Sequence, residues 1–202
     1  MAEMTRPKRR EIILVLIILS VLLPLIYLGL FKNDWSTYKG DGFSINHPSS
    51  WFIQTFPVND AELAKKEEYL FIIDNTKQSI SGEGYKTEGP EYVRIIASRL
   101  LKEGTEYQVS DLANQETSRL TSSLNRESKR LKTKVAGMPT VEVIITSSSN
   151  EDPFKKHYIY WIDTDKYIYK IMGILFIDKP LIQAWRYDFL IGKTIRSFKL
   201  EE

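Results

Sequence analysis

The sequence predicts an α+β fold, a mainly antiparallel sheet flanked by helices that follows one apolar N-terminal helix. Three observations predict it. Residues 12–31, IILVLIILSVLLPLIYLGLF, contain no charge. Beyond them, short apolar segments recur between turns rich in Gly, Pro, Asn and Asp, and two stretches, one from Ser110 and one from Asp178, carry apolar residues near helical spacing. Alternation with period two marks strands, and recurrence near 3.6 marks helices. Strand, helix, a run of strands and a closing helix form an α+β order in which most connections are short enough for hairpins.

The apolar stretch comes first. Its 20 residues, at about 1.5 Å each, span roughly the 30 Å of a bilayer's hydrocarbon. Arg6, Lys8, Arg9 and Arg10 precede it, whereas Lys32 follows with Asp34 close behind. By the positive-inside rule the stub 1–11 stays cytoplasmic, 12–31 is a transmembrane helix, 32–37 is a juxtamembrane linker and 38–202 is exported. Pro24 can kink such a helix, which membranes tolerate. A cleaved signal peptide is the competing reading, but its apolar core is usually about 7–15 residues and ends at a small-x-small site, which is not found here. Tyr27 and Trp35 suit the headgroup layer, although Trp35 equally suits the start of the domain's core.

Composition narrows the function. The chain has no cysteine, which excludes a disulfide framework, a thiolate metal site, a cysteine nucleophile and a lipidated cysteine. Of its 28 Lys and Arg and 26 Asp and Glu, five cations (Arg6, Lys8, Arg9, Arg10, Lys32) but only Glu3 and Glu11 precede residue 33, so the exported part is close to neutral. No basic nucleic-acid footprint is left there, and no nucleic-acid partner is expected.

In the exported part, Phe43, Ile45 and His47 alternate with Ser44 and Asn46 between Gly40-Asp41-Gly42 and Pro48, a half-buried strand. Trp51 to Phe56 reads as its hairpin partner, with Phe43 and Trp51 entering the core. A short polar helix around Asn59 to Glu68, a strand Tyr69 to Asp74, a loop Asn75 to Pro90 and a strand Glu91 to Leu100 follow. The loop is longer than most in compact domains. Ser110 or Asp111 can cap a helix to about Leu124, with Leu112, Ala113, Leu120 and Leu124 as its stripe. A strand Arg130 to Val135 turns at Gly137-Met138-Pro139 into Thr140 to Thr146. Next come His157 to Ile162, the turn Asp163 to Lys166, and Tyr167 to Phe176. Both faces of this last pair are apolar, so the sheet should be covered on both sides. Asp178 and Pro180 open a closing helix whose Leu181, Ile182, Trp185, Phe189 and Ile195 should face the core, with Trp185 or Phe189 worth roughly 1.5–3 kcal/mol when buried.

Tyr38, the run Gly40-Asp41-Gly42-Phe43-Ser44-Ile45, Pro48 and Trp51 resemble the opening signature of PsbP-like domains. The Gly137-x-Pro139 turn, the paired aromatic strands and the closing Ile195-Arg-Ser-Phe198 are similar to the rest of that pattern, over about Trp35 to Lys199. The resemblance implies an α/β/α sandwich and a domain that binds or stabilises partner proteins without catalysis. It implies no cofactor that can be matched to a position here.

Reactive constellations are scarce. His47 and His157 lie on separate strands without zinc-site spacing. Asp163-Thr-Asp165 lacks the glycine and distal glutamate of a calcium loop. Gly82-Glu-Gly84 lacks the third glycine of a dinucleotide fingerprint, and no Gly-x-Ser-x-Gly elbow or phosphate loop is present. No catalytic, cofactor-binding or metal residue is therefore assigned. Two candidate partner surfaces remain. Tyr158, Tyr160, Trp161, Tyr167 and Tyr169, where exposed, would make a binding surface; packing under helices is the alternative. Arg126, Lys129, Arg130 and Lys132 could meet an acidic partner or lipid, or form one solvated face of an edge strand. The expected function is a membrane-anchored, non-catalytic binding or assembly module acting on a membrane or envelope protein. The alternatives are an envelope enzyme or small-ligand binder with a pocket between sheet and helix, near which His47 and carboxylates would converge, or a photosystem II accessory protein in a photosynthetic source.

Overall fold

The computed structural model describes residues 16–18, 20–21, 33–55, 67–81, 84–88, 92–102, 108–122, 126–149, 152, 154–176 and 181–201. The chain divides into two compact units, Met1–Asn33 and Asp34–Glu202. Most of the predicted span 12–31 lies outside the described residues. Its described part is helical, with Leu16, Ile17, Ile18 and Val21 exposed and the Ser20 hydroxyl donating to the Ile17 carbonyl at 2.8 Å. No helix among the described residues is long and apolar enough to cross a membrane.

The second unit contains β1 (Trp35–Gly40), β2 (Phe43–Pro48), β3 (Phe52–Thr55), β4 (Glu68–Asp74), β5 (Lys77–Ser81), β6 (Gly84–Glu88), β7 (Val93–Leu101), α1 (Val109–Thr121), β8 (Arg126–Val135), β9 (Met138–Ser147), β10 (Lys156–Asp163), β11 (Tyr167–Leu175), α2 (Leu181–Arg196) and β12 (Lys199–Leu200). Seven strands form one antiparallel sheet in the order β3-β4-β7-β11-β10-β9-β8; β1-β2-β12 and β5-β6 form two smaller sheets. The result is mostly antiparallel β structure with two described helices.

Several elements depart from the sequence reading for identifiable reasons. The strand from Phe43 pairs with Trp35–Gly40, not with the segment after Trp51. Gly42, at φ 74°, closes a two-residue turn there, a backbone conformation natural to glycine. Pro48 ends β2 because it has no N–H to give the ladder. The Trp51 amide instead closes a turn on the Pro48 carbonyl at 2.9 Å, sending β3 into the large sheet. Accordingly β1 begins inside the stretch 32–37 expected as a linker.

The helix expected over Asn59 to Glu68 falls outside the described residues up to 66; Glu67 is irregular and Glu68 opens β4. The expected loop from Asn75 contains the β5-β6 hairpin, whose strands are too polar to show an apolar alternation. Helix α1 starts after Gln108, in extended conformation with no side-chain cap, and neither Ser110 nor Asp111 caps it. Asp111 in its first turn still complements the helix dipole. Strand β8 begins four residues before the predicted Arg130, because a charged edge strand has no apolar period to mark its start.

Strand β10 sets the layers. Tyr158, Tyr160 and Ile162 point into one core with Phe43, Phe71, Ile171, Ile191 and Phe198, while Ile159 and Trp161 point into another with Ala113, Val143, Ile145 and Ile168. The first core lies beneath α2 and the β1-β2-β12 sheet, where the Phe43 and Phe198 rings stack at 5.7 Å; the second lies beneath α1. Cover on both faces matches the apolar character of the strands, but the helices are few. Among the described residues the helices do not make a complete layer on each side.

Helix α2 buries Ile195 as predicted but turns the predicted core residues Trp185 and Phe189 outward, while the side chains of Leu181 and Ile182 lie outside the described residues. Leu190, Ile191, Thr194 and Ile195, with Phe198 beyond its end, are buried, while Trp185 and Phe189 are 62% and 41% exposed. At about 100° per residue, positions 190, 191, 194 and 195 lie across the helix from 185 and 189. Apolar residues occupy both sides, so spacing alone did not choose between them.

Candidate functional site

A cleft of about 730 Å³ opens between the large sheet and α2. Its floor comes from neighbouring strands, since Glu142 and Ile144 of β9 stand opposite Tyr160 and Tyr158 of β10. Trp185, Asp188, Phe189 and Arg196 of α2 form the wall. Tyr160 is 1% exposed, and its hydroxyl donates to Glu142 Oε1 at 2.5 Å. Burial, reinforced by this carboxylate, pushes the Tyr160 phenol well above its ordinary pKa, so it keeps its proton and serves as a donor. The Tyr158 hydroxyl donates to Asp188, whose other oxygen accepts from Lys156 Nζ at 2.8 Å; that ammonium lies 4.7 Å from the Tyr158 ring centroid. The polar groups of the floor are thus paired with each other or with Asp188, and the wall sets the exposed rings of Trp185 and Phe189 beside the charged Asp188 and Arg196. The hydroxyls of Tyr158 and Tyr160 are already committed to carboxylates.

A second cleft, about 690 Å³, lies where three turns meet: Asp41-Gly42, Ala136-Gly137 and Asp163 to Lys166. Ala136 and Gly137 have φ of 49° and 83°. Arg99 spans this cleft, bonding Glu68 at 2.6 Å and Asp41 at 3.4 Å with its guanidinium 4.7 Å from the Tyr167 ring centroid. Asp163, half of the calcium-like pair, is held by Lys102 Nζ at 2.5 Å. Among the described residues no three His, Asp or Glu side chains gather as metal ligands.

The aromatic surface expected on the paired strands is inside the domain. Tyr158, Tyr160, Trp161 and Tyr169 are all buried, because both sheet faces are covered at β10 and β11. Tyr167 is partly buried beneath the Arg99 and Lys166 side chains. The basic group also divides. Arg126 is half-buried with its side chain 6% exposed, bonding fully buried Asp152 at 2.7 and 2.9 Å and the Leu120 carbonyl at 2.8 Å, which ties β8 to the end of α1. The Arg126 hydrogen bonds hold the Asp152 carboxyl down to about 2. Lys129, Arg130 and Lys132 are exposed on the edge strand β8, where Arg130 meets Asn114 Oδ1 at 2.6 Å.

Neither histidine enters the cleft. His47 is buried and bonds its neighbour's carbonyl at 2.9 Å, with its pKa lowered by burial. His157 is buried beside Phe154, and burial together with Arg126 lowers its pKa to about 4. Sequence reasoning missed Glu142 and Asp188, which cross-strand register and helix rotation bring to the tyrosines. It named Trp185 and Phe189, but as core. The available signal was a helix with apolar residues on opposite sides.

No family model matches the chain, and no curated protein does. Two solved structures are similar in course. LpqN, involved in cell envelope biogenesis of Mycobacterium tuberculosis, is 8% identical with a TM-score of 0.48, over 84% of this chain and 91% of its own. Cyanobacterial PsbP (CyanoP) from Synechocystis sp. PCC 6803 is 12% identical with a TM-score of 0.46, over 86% of this chain and 96% of its own.

Proposed function

We propose that the chain is a membrane-anchored, non-catalytic binding module with a PsbP-like domain that engages a protein partner at the extracytoplasmic face. One observation carries the reading: exposed Trp185 and Phe189 stand over a floor whose hydroxyls and carboxylates are satisfied by each other. An aromatic rim beside fixed polar groups is the composition of a recognition surface. The anchor rests on the uncharged stretch 12–31. The PsbP-like assignment rests on the signature turns Asp41-Gly42 and Gly137-x-Pro139, which line one cleft. Tethering raises effective concentration toward membrane partners.

The test is a photo-crosslinking residue at position 185 of the full chain in its native cells, with fractionation of the membranes. The expected result is one reproducible membrane or envelope protein crosslinked to a chain that resists salt and alkaline extraction. Extraction into the aqueous fraction defeats the anchor, and crosslinks that vary between repeats defeat the binding role.

A second reading, a small-ligand binder, is favoured by the size of the sheet–helix cleft, within the roughly 300–1,000 Å³ usual for ligand pockets. Native mass spectrometry of the purified full chain separates the two, because a small molecule that co-purifies and is lost in Trp185→Ala supports the second.

A further inference from the structure

Helix α2 covers only part of its sheet face. Ile191 rests over Gly173 of β11, where an added Cβ would meet its Cγ2 at 2.4 Å. From Gly173 the register runs to Tyr158, then Ile144, then Lys129, across β10 and β9 to the edge strand β8. Three inter-strand steps of about 4.8 Å make roughly 14 Å. Since α2 reaches about 5 Å to that side, close to 10 Å of sheet lies beyond it, about the width of one α-helix. The opposite face of the same strands carries α1.

The open strip is apolar along its middle. Leu131 of β8 is 37% exposed and shares this face with Lys129, Thr133 and, where the strip ends in the core, the buried Val135, by the period of two in a strand. Ile144 is half-buried, and Trp185 and Phe189 overlook the strip from α2. Its charge is biased. Asp188 is paired with Lys156, while Glu142 accepts from the uncharged Tyr160 hydroxyl, which offsets none of its charge. Lys129, Lys193 and Arg196 meet no carboxylate within ion-pairing distance among the described residues, although Lys193 lies over the Trp35 ring at 4.1 Å. Glu127 stands at the Lys156 end of the strip, so Lys129, Lys156, Lys193 and Arg196 face Glu127, Glu142 and Asp188, and one net positive charge is left.

We propose that this strip receives an amphipathic α-helix of a partner protein, laid beside α2 with its apolar stripe on Ile144, Leu131, Trp185 and Phe189 and acidic residues on its flanks. Helix-in-groove recognition uses anchors at i, i+3, i+4 and i+7, and such a stripe fits a strip one helix wide. Acidic flanks answer the net positive charge and the cations Lys129, Lys193 and Arg196 that meet no carboxylate. The proposal rests on the partner-binding reading above and specifies the partner's form.

Two measurements test it. A photo-crosslinker at position 189 of the full chain should join one segment of the partner, with an apolar i, i+3, i+4, i+7 pattern and an excess of Asp and Glu, and Lys129→Glu should lower the yield at least fivefold. The full chain in detergent should bind a synthetic 18-residue helix carrying a leucine stripe and glutamate flanks. Its Kd should weaken at least tenfold when the flanks are lysine or when Trp185→Ala and Phe189→Ala are combined. Crosslinks to an extended or basic segment of a reproducible partner overturn the helix proposal while leaving partner binding intact. Symmetric crosslinks between copies of this chain, equal affinity for both peptides, or binding only to anionic phosphatidylglycerol vesicles overturn it as well. Irreproducible crosslinks remove the partner-binding reading itself.

Discussion

Ile191 packs directly over Gly173, so closely that a β-carbon on residue 173 would stand 2.4 Å from the isoleucine Cγ2 and 3.2 Å from Ile195 Cδ1. The missing side chain is what allows α2 to lie against β11. Gly173→Ala should therefore destabilise by about 1–3 kcal/mol through overpacking, although alanine is otherwise the better strand residue. Thermal and denaturant unfolding of the full chain in detergent measures it. Combining it with Ile191→Ala should cost less than the sum of the two single changes.

Trp185 and Ile191 should respond oppositely to what size suggests. Trp185→Ala is expected to change stability by no more than about 0.5 kcal/mol, since most of the ring is in solvent. Ile191→Ala, fully buried, should cost about 2–5 kcal/mol. Equal losses in the same unfolding assay would show that the helix buries its other side.

Arg126 and Lys132, alike in sequence, should separate sharply. Removing the guanidinium with Arg126→Met leaves the buried Asp152 carboxylate unpaired and should cost about 3–5 kcal/mol. Lys132→Ala, on the exposed edge, should stay within about 0.5 kcal/mol. Denaturation midpoints of the two variants decide the matter.

His157 should make the fold acid-sensitive. Burial and Arg126 lower its folded pKa from 6.5 to about 4, with Asp152 and Glu116 opposing and Arg119 adding to the shift. Its Nδ1 has no hydrogen-bond partner among the described residues. Below 6.5 the unfolded imidazole takes a proton that the folded one refuses. Stability is thus full above pH 6.5 and falls as pH drops toward 4, by about 1–3 kcal/mol in total. Asp152, depressed from 3.8 to about 2, adds a loss only below that window. His157→Leu should flatten the fall between pH 6.5 and 4 in unfolding curves taken at half-unit steps.

Elements were legible where the sequence alternates strongly. The Tyr-Ile-Tyr-Trp-Ile run of β10 and its Asp163 to Lys166 turn stand where the pattern put them, because period two and a polar turn are local properties. The basic run reads correctly as an edge strand for a different reason, since its lysines and arginines suit an unpaired edge. Its start at Arg126 does not, because the residue that fixes it, Asp152, is 26 positions away. Likewise the strand from Phe43 offered two possible partners, and only the Asp41-Gly42 turn geometry selects Trp35–Gly40.

The sequence by itself determined an antiparallel sheet with apolar character on both faces, a closing helix, and an uncharged N-terminal stretch, all of which follow from spacing along the chain. Tertiary structure alone decided which side of α2 is core, that the β10 tyrosines are floor and not surface, and that Glu142 and Asp188 hold their hydroxyls. The physical reason is that burial belongs to pairs of surfaces. A helix apolar on opposite sides can bury only the one that meets a gap in the sheet, and Gly173 supplies that gap beneath Ile191.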